Sequence, residues 1–265
     1  MLLMINHQTS YGYDFPVQGR IQYLRMTPRT RHHQQVLDWQ VSAGGDLVHQ
    51  TDGFGNVLSC LTLNQPHQTL LIQAQGRIRI DAQADYVRDE QLNPLLFQAP
   101  SELTHADDAL WDFAHTALKR CDRAGLVALA GAILEHMPYT PQSTAVGDSA
   151  SQTFALGRGV CQDHTPVKLA CARARGLPAR YVSGYLYTDS DEHLASHAWA
   201  EVYLEGKWYC FDVSNQLFSP VQHVQVAVGR DYLDAAPSRG MRQGGGEETM
   251  QATVQVRCES AASVG

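Results

Sequence analysis

The feature that most constrains the fold of this chain is a single change of periodicity near residue 98. Before it, short runs of alternating apolar residues recur with turn signals between them, a pattern typical of a β-sandwich. Most of these runs place polar residues at every second position, as expected of sheets with one face toward water. A turn is expected at Gln75-Gly76. The predicted strands are Arg20–Met26, Gln34–Val41, Val57–Leu63, Thr69–Gln73 and Arg77–Ala82.

After a Pro-containing linker, apolar residues follow the 3.6-residue period of helices and then return to strand-like alternation. Helices are predicted over Asp107–Leu118, Ala124–Met137 and Thr165–Arg175. Strands are then predicted over Ala179–Thr188, Ser196–Leu204, Lys207–Val213, Gln222–Val228 and Thr249–Cys258, with a Gly-rich loop at Gly240–Glu248. We therefore expect two domains, an N-terminal β-sandwich-like domain at 1–98 and an α+β domain at 99–265.

Charge and apolar content exclude several functions. The 20 basic and 27 acidic residues give a net charge of −7, which argues against nucleic acid as a partner. We find no run of about 20 apolar residues, so neither a transmembrane helix nor a membrane partner is expected. The first residues lack the features of a secretory signal, and the six cysteines contain no Cys-x-x-Cys pair. These observations predict a cytoplasmic protein with free thiols.

Cys161 is the first candidate for chemistry because of its context. It follows Gly157-Arg158-Gly159-Val160 and precedes a predicted helix. The positive end of a helix dipole favours a thiolate, and backbone N–H groups at that position can hold an oxyanion. Taken alone, however, a single cysteine is more often a small residue of the core.

His197 and Asp212 are the second and third candidates. Alternation places His197, Trp199, Glu201 and Tyr203 on one strand face, away from the aliphatic face. The Glu205-Gly206 turn pairs Leu204 with Lys207, which puts Asp212 opposite Trp199. On this spacing we expect His197 and Asp212 to share a face only if the register slips by one residue, through a bulge or a different turn. A thiol, an imidazole and a carboxylate together suit thiolate acyl transfer.

Three blocks, in this order, resemble the transglutaminase-like superfamily. They are Gly159-Val160-Cys161, then Leu177-Pro178-Ala179-Arg180-Tyr181-Val182-Ser183-Gly184-Tyr185, then His197-Ala198-Trp199-Ala200-Glu201-Val202 with Phe211-Asp212. The segments Arg20–Pro28, Asp52–Asn56 and Val228–Tyr232 are similar to its bacterial branch, which carries an N-terminal β domain. The resemblance implies a papain-like core of helices packed on an antiparallel sheet. It also implies Cys161 as nucleophile, His197 as base and Asp212 as the carboxylate that orients His197.

One departure from the family concerns the residues after Cys161, where His164-Thr165-Pro166 stand in place of an aromatic, a small residue and histidine. Because proline prefers the first helical position, the helix could begin near Pro166. The alternative, which the family geometry favours, is a helix that begins at Cys161 and tolerates Pro166. Gln162, Asp163 and Trp199 are the predicted substrate-binding residues, although first-turn and core roles are competing interpretations.

No metal and no cofactor are expected. Thr188–His193 lacks the central glycine and final glutamate of an EF-hand loop, so a solvated hairpin loop is the better interpretation. The predicted function is acyl transfer or hydrolysis at peptide or amide carbonyls, on a peptide or protein substrate, with hydrolysis preferred over cross-linking. The alternative is a catalytically silent module that binds or scaffolds partners. Glycan-amide hydrolysis ranks last because the paired Cys-x-x-Cys zinc site of peptide N-glycanases is missing from the sequence.

Overall fold

Two antiparallel sheets organise the protein, which we describe from a computed structural model over residues 1–89, 91–141, 147–188 and 196–259. The first sheet has seven strands and the second has four. The strands of the first sheet are β1 (Leu2–Thr27), β2 (Gln34–Ser42), β3 (Leu47–Thr51), β4 (Val57–Leu63), β5 (His67–Ile80), β10 (Ser238–Gly244) and β11 (Glu248–Cys258). Those of the second are β6 (Ala179–Leu186), β7 (His197–Leu204), β8 (Lys207–Phe211) and β9 (His223–Gly229).

The long strand β1 joins the two halves of the first sheet. Its first half, up to Tyr13, pairs with β5 and β11, and its second half, from Val17, pairs with β4 and β10. The pairing with β5 shifts register between Gly12 and Val17. Apolar residues of both halves form one buried cluster, which includes Val17, Leu61 and Ile72. This arrangement provides the predicted β-sandwich-like layer.

Some strands of this sheet differ from the prediction. β5 is a single strand where the sequence predicted two strands with a turn at Gln75-Gly76. Gly76 lies within this strand, where the backbone of β2 passes very close to it. A Cβ atom at this position would lie 2.2 Å from the Asp38 carbonyl oxygen, so the glycine allows the close approach of the two strands and does not form a turn. β3 and the first half of β1 were not predicted, since β3 has only five residues and β1 contains a continuous polar run at Asn6–Ser10.

The C-terminal strands form a hairpin that belongs to the first sheet. The Gly240–Glu248 segment, predicted as a loop, contains most of β10 and a tight turn in which Gly244, Gly245 and Gly246 have φ of 82°, 96° and 67°. The hairpin then lies against β1, with Leu3 opposite Cys258. Residues 238–258, placed by sequence in the second domain at 99–265, therefore share the sheet of the N-terminal residues.

Helices cover one face of the second sheet, whose strand order is β8-β7-β6-β9. Ala198, Ala200 and Val202 of β7 pack with the helices in one buried cluster. The α-helices are α1 (Asp108–Ala117), α2 (Arg123–His136), α3 (Ala150–Leu156), α4 (Cys161–Ala174) and α5 (Tyr232–Ala235), with 3-10 turns at Pro94–Phe97, Glu102–Thr104 and Pro220–Gln222. The fold is α+β, with an N-terminal β-sandwich-like domain and a papain-like core of helices on an antiparallel sheet.

The opposite face of the second sheet is not open to water, because the first sheet covers it. Leu3 and Ile5 of β1 pack with Tyr185 of β6 and Val224 of β9 in a shared apolar cluster. Polar residues on this face of the second sheet are therefore buried between the two sheets. In the part of the chain that the structure describes, no helix is long and apolar enough to cross a membrane.

Candidate functional site

The Cys161 side chain lies at the first turn of α4, which begins at Cys161 as the family geometry favoured. Val160 is the N-cap, and the Asp163 carboxylate accepts a 2.8 Å hydrogen bond from the Val160 N–H. The first N–H groups of a helix have no partner within it, and the half-buried thiol belongs to that first turn. The helix start therefore places hydrogen-bond donors and a positive dipole end beside a sulfur atom.

Pro166 lies inside α4, and the two residues before it make side-chain hydrogen bonds near the start of the helix. The Thr165 hydroxyl donates to the Cys161 carbonyl oxygen at 2.7 Å. The buried imidazole of His164 contacts the Ser214 hydroxyl at 2.8 Å through Nδ1 and the Met137 carbonyl oxygen at 2.8 Å through Nε2. These bonds tie the start of α4 to the end of α2 and to the turn after β8.

His197 is the first residue of β7, and its side chain is 10 % exposed. Its Nε2 atom lies 2.7 Å from Oδ2 of Asp212, whose side chain is fully buried. Cys161 and His197 line the same cleft, and the thiol helps to raise the pKa of the imidazole. Because Nε2 is engaged by the carboxylate, Nδ1 is the ring nitrogen that remains for the thiol. The three side chains thus belong to one site.

The β7–β8 pairing explains how Asp212 reaches His197 without the register slip that we expected. Leu204 pairs with Lys207, and the same register continues to Ala200 and Phe211. Directly opposed residues of an antiparallel ladder share a face, so Asp212, which follows Phe211, lies on the face of Trp199 and His197. The expected slip was therefore wrong, since the regular register already brings the two side chains together.

Asp212 accepts hydrogen bonds from several donors. Besides His197, its Oδ2 atom is 3.1 Å from Nε2 of His223 and 3.0 Å from Nδ2 of Asn215. Its Oδ1 atom accepts a 3.2 Å bond from the Asn215 backbone N–H. A buried carboxylate needs such partners, because burial without them strongly disfavours its charged form.

The charges of the site stabilise one another. Burial raises the pKa of Asp212, but the neighbouring His197 and His223 outweigh it and hold that pKa far below its usual range. Burial also disfavours a charged His197, yet Asp212 and Cys161 raise its pKa to about 10. The arrangement therefore favours an imidazolium beside the thiol, and an imidazolium stabilises a thiolate.

An open cleft of about 330 Å³ gives access to the sulfur atom. Its lining residues are Tyr139, Cys161, Leu186, Thr188, Ser196, His197, Ser214 and Asn215. Tyr139 is 53 % exposed. A ligand in this cleft would contact both Cys161 and His197.

The three predicted substrate-binding residues lie in different surroundings. Gln162 is half-buried in the first turn of α4, and Asp163 caps that helix. Trp199 is 1 % exposed, and its ring lies 6.1 Å from the His197 ring and 4.7 Å from the His223 ring, between the two sheets. None of the three is among the described residues that line the cleft, and their role in binding substrate stays a prediction.

The described residues contain one group that could hold a metal ion, namely His197, Asp212 and His223. The two Nε2–Oδ2 distances, 2.7 and 3.1 Å, are those of hydrogen bonds, so the same atoms are already paired with one another. Of the Thr188–His193 segment, considered above as a metal loop, residues 189–193 lie outside the described residues.

His223, Asn215 and Tyr139 were not predicted from the sequence. Asn215 stands three residues after Asp212 in a turn, a spacing that suits a carboxylate accepting a nearby N–H. His223 begins an ordinary apolar strand, and nothing local to it points to Asp212. Its contact depends on how β9 is placed beside β6.

Comparison with known proteins places these features in a family. Residues 3–79 match the bacterial transglutaminase-like N-terminal region, and residues 113–213 match the transglutaminase-like superfamily. An uncharacterized protein of Mycobacterium leprae is 28% identical over 96% of this chain and 98% of its own length, and one of Mycobacterium bovis is 28% identical over 89% and 86%. A crystal structure named a "putative cysteine protease" from Cytophaga hutchinsonii has a TM-score of 0.79, with 21% identity, and covers 97% of this chain and 90% of that one. With both sequence regions matched in order and the fold shared, the chain belongs to the transglutaminase-like superfamily, in its bacterial branch with an N-terminal β domain.

Proposed function

We propose that this protein is a cysteine-dependent enzyme that hydrolyses peptide or amide carbonyls through a thioester, with Cys161 as nucleophile, His197 as base and Asp212 as the carboxylate that orients His197. One observation carries the proposal: the Cys161 thiol, at a helix start, shares an open cleft with an imidazole that is itself bound to a buried carboxylate. Nucleophile, base and orienting group in mutual contact are the parts that thiolate acyl transfer requires.

The reaction follows from these contacts. His197 takes the thiol proton at Nδ1, and the Cys161 thiolate attacks the carbonyl carbon. N–H groups of the first turn of α4 are positioned to stabilise the oxyanion. The imidazolium then protonates the leaving amine, and the C–N bond breaks to give a thioester. Water, deprotonated by His197, attacks the thioester, and the acid and the free thiol are released.

A peptidyl chloromethyl ketone tests the identity of the nucleophile. After labelling near pH 6.5, we expect mass mapping to find the label on Cys161 and not on the exposed Cys121 or the half-buried Cys60. Cys161→Ala is expected to abolish labelling, His197→Ala to slow it by at least about 10-fold, and the matched control Cys60→Ala to leave it unchanged. Equal labelling of all exposed thiols would contradict the proposal.

Turnover of the acyl-enzyme separates the enzymatic proposal from the silent module. Fluorogenic peptide amides offered with and without a primary amine report hydrolysis and transfer, respectively. We expect release of the free acid to exceed amide formation, because water is the default acceptor. Selective labelling of Cys161 without turnover of any tested amide would support the alternative, a module that keeps the site without using it.

The proposed cytoplasmic location rests on the thiols. All six cysteines are free, including the exposed Cys121 and Cys258. Free, exposed thiols are more common in reducing compartments. Fractionation of cells that express the tagged chain tests this location, and recovery from an oxidising compartment would contradict it.

A further inference from the structure

A second imidazole contacts the buried carboxylate, and the function proposed above assigns it no role. Nε2 of His223 lies 3.1 Å from Oδ2 of Asp212, the oxygen that also contacts His197. His223 is fully buried, and its side chain comes from β9, whereas His197 belongs to β7 and Asp212 follows β8. The carboxylate is therefore held between two histidines from different strands.

The hydrogen-bond partners of His223 determine its tautomer. A carboxylate oxygen only accepts, so Nε2 of His223 carries the proton and donates it. On the other side of the ring, Nδ1 lies 4.0 Å from the sulfur of the fully buried Cys210. Burial raises the pKa of Cys210 well above its ordinary value, so the thiol keeps its proton and is a donor toward Nδ1. The two contacts thus place a proton on Nε2, toward Asp212, and leave Nδ1 facing the Cys210 thiol.

The position of β9, and with it His223, depends on two amide side chains of the first domain. Gln34 accepts a bond from the Gln225 N–H and donates to the Gln225 carbonyl oxygen, both at 2.8 Å. Asn56 pairs with the backbone of Val228 in the same way, at 2.9 and 2.8 Å. β9 is an edge strand of the second sheet, and these two amides occupy backbone groups that a further strand would otherwise use.

We infer that His223 is a positioning residue for the proposed reaction: it donates one hydrogen bond that fixes the Asp212 carboxylate, so that Asp212 in turn fixes His197 against Cys161. The inference rests on the proposed function. It also assigns a task to the N-terminal domain, whose Gln34 and Asn56 hold the strand that carries His223.

Two amide variants separate this role from simple packing. In His223→Gln the side-chain nitrogen takes the place of Nε2 and can still donate to Asp212. In His223→Asn the shorter side chain places its nitrogen near the Nδ1 position, toward Cys210, and the bond to Asp212 is lost. Both variants are polar and uncharged, so they differ mainly in whether the donor reaches the carboxylate.

We expect His223→Asn to lower kcat about 10- to 100-fold with KM little changed, because a lost hydrogen bond to a charged group has an effect of that size. We expect His223→Gln to retain kcat within about threefold of wild type. The rate of Cys161 alkylation by iodoacetamide at pH 6.5 is expected to follow the same order, with wild type fastest, His223→Gln next and His223→Asn slowest. His7→Gln is the matched control, since His7 is also buried between the sheets but contacts Tyr185 and Thr9 instead.

The outcomes distinguish this inference from the proposed function. If wild type turns over substrate and His223→Asn, folded by circular dichroism, does so equally fast, the inference is wrong and the proposed function stands. If wild type neither labels at Cys161 nor turns over, the proposed function itself fails. Should both variants fail to fold, ¹⁵N NMR of the wild-type histidines decides, because a proton on Nδ1 rather than Nε2 of His223 would overturn the inference.

Discussion

Replacing Asp212 with Asn tests whether the carboxylate charge controls the state of Cys161. The amide is nearly isosteric, and its oxygen at the Oδ2 position can still accept from His197 and His223. Its NH₂ group would then face the Asn215 N–H that now donates to Oδ1. We expect the fold to be retained, with a loss of about 1–3 kcal/mol in unfolding free energy from that unfavourable contact.

The expected change in reactivity follows from the electrostatics of the site. Burial alone lowers the pKa of His197, and Asp212 supplies the largest of the opposing effects that together raise that pKa to about 10. Without the negative charge, burial dominates and the pKa of His197 falls below its ordinary value of 6.5. At pH 6.5 the imidazole of the variant is then mostly neutral, and the imidazolium that stabilises a thiolate is lost.

The magnitude follows from the fraction of thiolate. An ordinary thiol, with a pKa near 8.5, is about 1 % ionised at pH 6.5. An imidazolium beside a thiol increases the thiolate fraction, by up to about 100-fold at this pH, although a thiolate of lower pKa is also a weaker intrinsic nucleophile. We therefore expect alkylation of Cys161 at pH 6.5 to be about 10- to 100-fold slower in Asp212→Asn than in wild type, and the difference to shrink to less than about twofold at pH 9.

The assay measures the pseudo-first-order rate of iodoacetamide modification at Cys161 by peptide mass spectrometry between pH 6 and pH 9. The exposed Cys121 of the same molecule is the internal reference. Asp38→Asn is the matched control, since it makes the same chemical change at an exposed carboxylate that pairs with Arg77. A folded Asp212→Asn protein that alkylates at Cys161 as fast as wild type at pH 6.5 would refute the reasoning.

Three further predictions concern stability, each measured by urea unfolding. Glu201→Gln leaves Arg180, which is 1 % exposed, without one of its two carboxylate partners, so we expect the free energy of unfolding to fall by about 3 kcal/mol. The control Asp38→Asn, which changes an exposed pair, is expected to cost less than about 1 kcal/mol. Equal losses in the two variants would contradict the prediction. Asn56→Ala leaves the Val228 N–H and C=O buried without their partner, with an expected loss of about 2 kcal/mol, and an effect as small as that of the exposed Asn64→Ala would argue against it. Burial lowers the pKa of Lys168 from 10.5 to about 7. Between pH 7 and pH 10.5 the unfolded chain therefore binds more protons than the folded protein, and wild-type stability rises with pH in this range. Lys168→Met is expected to remove that rise, and parallel pH profiles of stability for the two proteins would disprove the prediction.

Much of the local structure followed from the sequence because its causes are local. Strand β4 has the predicted bounds, Val57–Leu63, and α2 begins and ends within one residue of its prediction. The Glu205-Gly206 turn determined the β7–β8 register, because a two-residue turn fixes which residues face each other. Cys161 and the start of α4 were likewise predicted, from residues adjacent in sequence and from the family resemblance.

Other features depended on contacts between distant residues and were decided by the tertiary structure. The Gly-rich segment after Gly240 becomes strand and tight turn only because β1, more than 200 residues earlier, offers an open edge for pairing. Gly76 is a strand residue because the Asp38 backbone lies where a side chain would be. His223 reaches Asp212 only once β9 lies beside β6 and is capped by Gln34 and Asn56. Periodicity reports which face of an element is apolar, but it carries no information about which distant element covers that face, and the surroundings of Asp212 are built from such distant elements.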